Sequence, residues 1–274
     1  MITIRIDPFN PGQVFACCGL FELCELLSEG GRGWFSQEGE DWRFSVETPL
    51  SLPDVITFLK KSEVKPVDEH DPKIAVLRNR EGEEVLNRRK CPVILRTQKS
   101  DIILNWWWNP TLTDDSKWAA GAFKGWGGQV SHVDLLAEFM EKTPDPNRIP
   151  ELDIFNETLP HGTSFGFDSR GCWTPRDLGY SPDEVYGGKG KIRISPLVEV
   201  LAFIALQTFK PKRRGDYIEY YLWRWALPIL LARFAISGVV RADLLGFQTE
   251  VISRGTRGAY KCFKEARIIE ERRE

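Results

Sequence analysis

Five short stretches of the chain set cations beside glycine, three of them with an aromatic residue as well. KGWGGQ (124–129) holds Lys124, Trp126 and Gln129. SRGCWTPR (169–176) holds Arg170, Trp173 and Arg176. GGKGK (187–191) supplies Lys189 and Lys191, and KPKRRG (210–215) supplies Lys212, Arg213 and Arg214. SRGTRGAYK (253–261) adds Arg254, Arg257, Tyr260 and Lys261. Glycine lets backbone amides approach a phosphate closely, and Lys or Arg supplies the charge. An aromatic face stacks on an unpaired base, worth about 1–3 kcal/mol per base. Each stretch alone also fits a solvated loop. Together they make nucleic-acid binding the chemistry these residues can do.

Catalytic patterns are missing. The three histidines, His70, His132 and His161, have no partner at metal-ligand spacing. Neither a G-x-S-x-G elbow nor a Walker A loop occurs, and GGKGK lacks the strand–turn–helix setting of a dinucleotide fingerprint. Asp114 and Asp115 precede a predicted helix, where carboxylates cap. The reading is a protein with no catalytic residue, no metal and no cofactor.

Composition sets the class. The chain has 274 residues, 42% hydrophobic and 28% charged, as a globular protein does. Net charge is −2, yet residues 207–274 carry 14 Lys/Arg against 8 Asp/Glu. A basic last quarter on a near-neutral chain suits a local polyanion contact. No apolar run reaches the roughly 18–20 residues of a membrane span, and MITIRIDPFN has no signal-peptide pattern. The expectation is a cytoplasmic protein with no membrane contact. Cys17, Cys18 and Cys24 share an apolar segment that reads as buried thiols, and no C-x-x-C occurs.

These residues need elements to position them. TIRID (3–7) and WRFSVET (42–48) alternate as strands. Asn10 and Pro11 open a helix whose stripe is Val14, Cys17, Cys18, Phe21 and Cys24, ended by Gly30 and Gly31. Ser51 and Pro53 open a second helix to Lys61. Residues 65–90 read as a charged insertion. CPVILRT (91–97) and DIILNWWW (101–108) read as paired strands, the tryptophans being core rather than a stacking platform. Residues 117–142 read as a helix in two pieces. Ser195 and Pro196 open a strong helix, KPKRRGD is a basic turn, YIEYYLWRW is a strand, and residues 228–238 are a helix. Residues 247–268 suggest two strands around a basic turn. The fold class is α+β, with mixed or antiparallel sheets and packed helices in two poorly separated lobes, 1–145 and 146–274.

FGFDSRGCWTPRDLGYSPDE (165–184) carries large and charged side chains in chain that glycine and proline keep irregular. Phe165, Phe167 and Trp173 are expected to anchor it. Asp168 and Asp177 are expected to pair with Arg170 or Arg176. A purely structural ion-pair loop and a loop that presents one arginine to nucleic acid both fit.

The order of segments is itself informative. NPGQVFACCG is followed by WWW, KWAAG, FGFDSRGCW with DLGYSPDE, ISPLVEVLAFIALQTFKP and YLWRWALP. Over about residues 4–237 this resembles the Csb/Csx-type effector subunits of subtype I-G (formerly I-U) CRISPR–Cas systems. The resemblance implies a non-catalytic subunit of an RNA-guided surveillance complex in antiviral defence. Its partners would be other CRISPR effector subunits, CRISPR RNA and target DNA. In that class the protein reads backbone and a short flanking motif while base pairing reads sequence. Two alternatives stay open: a metal-independent guide-RNA-processing endoribonuclease using His132 or His161, and a scaffold that binds only protein.

Overall fold

The computed structural model describes residues 1–67, 76–78, 84–86, 92–97, 99–107, 130–160, 163–172, 179, 193–240, 244–254 and 260–269. Strand β1 (Ile2–Ile6) points Ile2, Ile4 and Ile6 inward. The Asn10 side chain then accepts the Gly12 N–H, Pro11 fits the first turn, and helix α1 runs Pro11–Leu27. Strands β2 (Arg32–Glu38) and β3 (Asp41–Glu47) form a hairpin whose turn residue Gly39 has φ 64°. A capping box between Ser51 and Asp54 starts helix α2 (Leu52–Lys61).

Short strands follow: β4 (Glu63–Pro66), β5 (Val76–Arg78), β6 (Glu84–Leu86), β7 (Val93–Arg96) and β8 (Asp101–Leu104). Helix α3 (His132–Glu141) is capped by Ser131. Two 3-10 turns (Glu151–Asn156 and Ser169–Cys172) flank β9 (Leu159–Pro160). β10 (Arg193–Ile194) leads into helix α4 (Pro196–Ala205), capped by Ser195. The last elements are β11 (Lys212–Arg214), β12 (Tyr217–Trp223), β13 (Leu227–Pro228), helix α5 (Ile229–Ala235), β14 (Leu244–Arg254), β15 (Tyr260–Phe263) and β16 (Arg267–Ile268).

Every strand pairing among the described residues is antiparallel. The fold is therefore α+β. One sheet has the order β1-β3-β2-β13, and another β11-β12-β14-β15 with β16 also on β14. β4-β7-β8 form a third sheet, and β9-β10 and β5-β6 form ribbons. Among the described residues, no helix is long and apolar enough to cross a membrane.

α1 and α4 pack against each other at the centre, and glycine makes this possible. A Cβ on Gly19 would lie 2.0 Å from the Leu201 carbonyl oxygen, so the two backbones touch. α1 is consequently buried on nearly every side from Pro11 to Phe21, beyond the stripe that a surface helix would need. A single cluster of buried residues includes Phe15, Phe44, Phe165, Phe203, Tyr220 and Trp223. Trp223 donates its indole N–H to the Gly33 carbonyl at 2.7 Å, and β13 pairs with β2.

Three expectations change. β2 is a strand the alternation did not mark. The strand of DIILNWWW stops at Leu104, and Trp106 and Trp107 form a turn against Phe203. Trp106 donates to the Phe203 carbonyl at 2.9 Å and Trp107 is buried, so both are core. Lys212–Arg214 form an edge strand rather than a turn.

Gly19→Ala forces α1 and α4 apart and should cost about 3 kcal/mol, at the upper end of overpacking effects. Trp107→Ala leaves a cavity and should cost about 3–5 kcal/mol. Denaturant melts of the two variants measure both losses. A wild-type midpoint for Gly19→Ala would contradict the close helix contact.

Candidate nucleic-acid interface

FGFDSR folds inward. Gly166 has φ +86°, and a Cβ there would meet the Lys261 carbonyl oxygen at 2.3 Å. That position admits only glycine, and it drives Phe165 and Phe167 into the core. Asp168 follows, with no solvent exposure at all. A buried carboxylate requires partners, and Asp168 has them. Oδ1 accepts from Asn10 Nδ2 at 2.8 Å and Arg170 Nε at 2.8 Å. Oδ2 accepts from Arg170 Nη2 at 2.7 Å and the Ser195 N–H at 2.9 Å. Arg170 Nη2 also donates to the Phe155 carbonyl at 2.9 Å.

Glu199, in the first turn of α4, completes the network. It is fully buried and accepts the N–H groups of Phe165 (2.8 Å), Phe167 (3.1 Å) and Asp168 (2.8 Å). Burial raises its carboxyl pKa to about 8, and the Asp168 charge adds to the rise; the three N–H donors oppose it. This cluster joins two helix N-termini and an irregular loop, with Asp168 and Glu199 fully buried and Arg170 reaching the surface. Arg170 is 30% exposed, and its guanidinium is held by Asp168 and the Phe155 carbonyl. For residues 165–172 the ion-pair loop is what the structure contains.

His132 is equally enclosed. It starts α3, has no exposure, and meets the Trp107 ring edge-on at 5.0 Å. A general base needs to reach substrate, and this ring is packed in the core. His161 and His70 lie outside the described residues, as do Lys124, Trp126, Gln129, Arg176, Lys189, Lys191 and Arg257. Among the described residues, no cluster of three or more His, Cys, Asp or Glu could hold a metal ion.

The remaining candidates gather on the five-stranded sheet. Residues 218, 220 and 222 of β12 are buried, so Tyr217, Glu219 and Tyr221 line the opposite face. Register places Lys212 opposite Glu219 and Arg214 opposite Tyr217 on that same face. Across the sheet, Gln248 opposes Glu219 and Glu250 opposes Tyr217, and β16 sets Arg267 opposite Gln248. Glu219 is nearly buried and anchors two cations, with Arg214 Nε at 3.0 Å and Lys212 Nζ at 3.7 Å. Lys264 Nζ bonds Glu250 at 2.7 Å, and this bond raises the lysine pKa. Arg267 donates to Gln248 at 3.0 Å.

Among the described residues, the ion pairs of Lys212, Arg214 and Lys264 are with two carboxylates, Glu219 and Glu250, while Arg267 bonds Gln248. Tyr217 stands among them, 40% exposed. Arg213 projects from the edge strand with its Nε on the Gly215 carbonyl. An excess of anchored cations around an exposed ring can hold a phosphate backbone and stack one base. Lys261 does not join this face, since alternation puts it with buried Phe263. Arg254 ends β14 opposite Tyr260. Sequence reading found KPKRR but not Tyr217, Lys264 or Arg267, which only strand register brings together.

A second surface was not foreseen. α5 turns Ala232 and Ala235 inward, and Arg233 grips Glu22 of α1 through two bonds of 2.7 Å. That orientation leaves Leu230, Leu231 and Phe234 facing solvent, with Trp225 and Val239 beside them in the chain. Phe234 is 56% and Leu230 62% exposed. Exposed apolar side chains grouped on one helix face are the kind of surface that partners cover.

The Glu199 carboxyl links stability to pH. Its folded value of about 8 lies above the ordinary value of 4.5, so the folded state holds the proton more tightly. Stability should fall as pH rises from about 4.5 to 8 and level off above. Melting temperature measured across pH 5–9 should decline in the wild type. Glu199→Gln, which cannot ionise, should melt lower at pH 5 and show a flatter decline. An identical slope in both proteins would assign the effect elsewhere.

A search against protein-family models, curated proteins and solved structures finds no match to the chain.

Proposed function

We propose that the chain is a non-catalytic subunit of an RNA-guided surveillance complex of the kind its CRISPR resemblance implies, contacting the backbone of guide RNA or target DNA. The observation that carries this reading is the outer face of the five-stranded sheet. There Lys212, Arg214, Lys264 and Arg267 surround the exposed ring of Tyr217. Such a face binds phosphate without regard to sequence, which is the task left to the protein when base pairing supplies specificity. Enclosure of His132 weighs against its use in RNA cleavage.

The apolar face of α5 supports the multi-subunit part of the reading. Arg32, exposed and in register with Pro228, and Arg224 flank this region. Neither has an ion pair among the described residues, and Arg224 instead lies over the Trp42 ring at 5.9 Å. The nearby carboxylate of Glu22 is held by Arg233, and Glu25 accepts from Gly30 and Gly31. Register also sets the exposed carboxylate of Glu47 across from Arg32, so the rim is of mixed charge and the fitting occupant is a companion subunit with apolar side chains. The expected cellular setting is the cytoplasm, where guide and target meet.

Lys264→Ala with Arg267→Ala should leave the melting temperature within about 1 kcal/mol equivalent of wild type, since both side chains are exposed. Affinity for single- and double-stranded nucleic acid should fall for all sequences alike. The slope of log affinity against log salt should become shallower by up to about two units. Titration by fluorescence anisotropy at three salt concentrations measures both. Salt-independent or absent binding by the wild type, alone and in the reconstituted complex, would remove nucleic acid from the proposal and favour a protein-only scaffold.

Phe234→Asp with Leu230→Asp should fold normally, since both side chains are already in water, yet fail to co-purify with the neighbouring subunits of the locus. Retained co-purification would place the subunit contact elsewhere.

A further inference from the structure

Cys172 ends the 3-10 turn that follows Asp168, and Cys262 lies in β15, 90 residues away in sequence. The fold brings them side by side. The Cys262 thiol donates to the Cys172 sulfur across 3.0 Å, and both side chains are nearly covered. Neither is in a disulfide in this structure. Their backbones are already fixed against each other. The Phe263 N–H donates to the Gly166 carbonyl at 2.9 Å, and Gly166 lies so close to β15 that a Cβ would strike the Lys261 carbonyl. A disulfide sets its sulfurs about 2.05 Å apart. Closing the pair therefore takes a sulfur shift of about 1 Å.

The other described cysteines offer no such pair. Cys17, Cys18 and Cys24 lie along one helix in the core, where burial raises their thiol pKa values. No hydrogen bond or sulfur contact joins any two of them among the described residues. Cys262 lies instead in β15, which ends the strand order of its sheet, with Cys172 against it.

We propose that Cys172 and Cys262 are a reversible disulfide-forming pair that clasps the Asp168 loop to β15. The oxidant class is a low-molecular-weight disulfide such as oxidised glutathione. One cysteine thiolate attacks a sulfur of the oxidant, breaking its S–S bond and releasing one small thiol. The second cysteine thiolate then attacks the protein sulfur of this mixed disulfide and releases the other small thiol. One S–S bond forms in the protein and one breaks in the oxidant. Two protons pass from the cysteines to the released thiols. The two electrons that the cysteines lose reduce the oxidant, and excess small thiol reverses the sequence.

The clasp would tie the loop carrying the buried ion pair to the hairpin that ends in Arg254. It closes a loop of 90 residues, so its effect on stability should be large. The experiment equilibrates the full chain with reduced or oxidised glutathione, blocks remaining thiols with iodoacetamide under denaturing conditions, and maps peptides without reduction. The expected result is a linked Cys172–Cys262 peptide two hydrogens lighter than its parts, and a melting temperature higher by roughly 5 °C. Cys172→Ser and Cys262→Ser should each lose the oxidant-dependent rise, and Cys24→Ser should keep it. Full alkylation of both cysteines after oxidation, or a link that joins other cysteines, would overturn the proposal. Peptide mapping of the wild type decides the matter even if a serine variant folds poorly.

Discussion

The structure depends on one buried carboxylate. Asp168 lies at the point where the N-terminus of α1, the N-terminus of α4 and the irregular loop converge. Left unpaired there it would cost several kcal/mol or lose its charge. Asn10, Arg170 and the Ser195 N–H supply its partners, and those partners are the caps and turns that start the two central helices. Glu199 performs the reciprocal task, holding three N–H groups of the loop from the α4 side. The two acids make an irregular segment as determined as a helix, because its polar groups have only one arrangement in which all are satisfied.

Close backbone contact is the second constraint, and it follows from the first. Gly12 abuts the Phe167 carbonyl and Gly19 abuts the Leu201 carbonyl, so α1 is seated on the loop and on α4 without side chains between them. The gap is then sealed by aromatic rings. Phe165, Phe167 and Phe203 stack around Trp106 and Trp107, and Phe15 bridges Tyr220 and Phe263. The sheet that bears the cations is held to this centre through Tyr220, whose hydroxyl donates to the Pro8 carbonyl at 2.7 Å. One face of that sheet is committed to the core. The opposite face carries the cations, and the charge there is oriented by Glu219 and Glu250 rather than left to wander.

Much of the fold was legible in the sequence because its signals are local. Asn10-Pro11, Ser51-x-Pro53 and Ser195-Pro196 each announce a helix start through a side chain that caps its own backbone. Alternation marked β1, β3, β12 and the β14–β15 hairpin in the same way. β2 was missed because RGWFSQE buries only Gly33 and Phe35, a pattern too thin to register. The DIILNWWW strand was drawn too long because tryptophan favours strands, whereas here tertiary contact with Phe203 sets Trp106 and Trp107 in a turn.

The candidate sites divide along the same line. The sequence by itself determined an α+β chain with capped helices, a basic last quarter, and the ion pair between Asp168 and a neighbouring arginine, since these rest on composition or on residues close in sequence. Which cations remain available was decided only by tertiary structure. Arg170 and Lys212 look alike in sequence, yet the first has its guanidinium on the buried Asp168 while the second lies on the outer sheet face. The grouping of Tyr217 with Lys264 and Arg267, the contact of Cys172 with Cys262, and the outward turn of Phe234 have the same origin. Each depends on strand register or on which helix face a distant residue such as Glu22 holds, and neither leaves a trace in the local spacing of side chains.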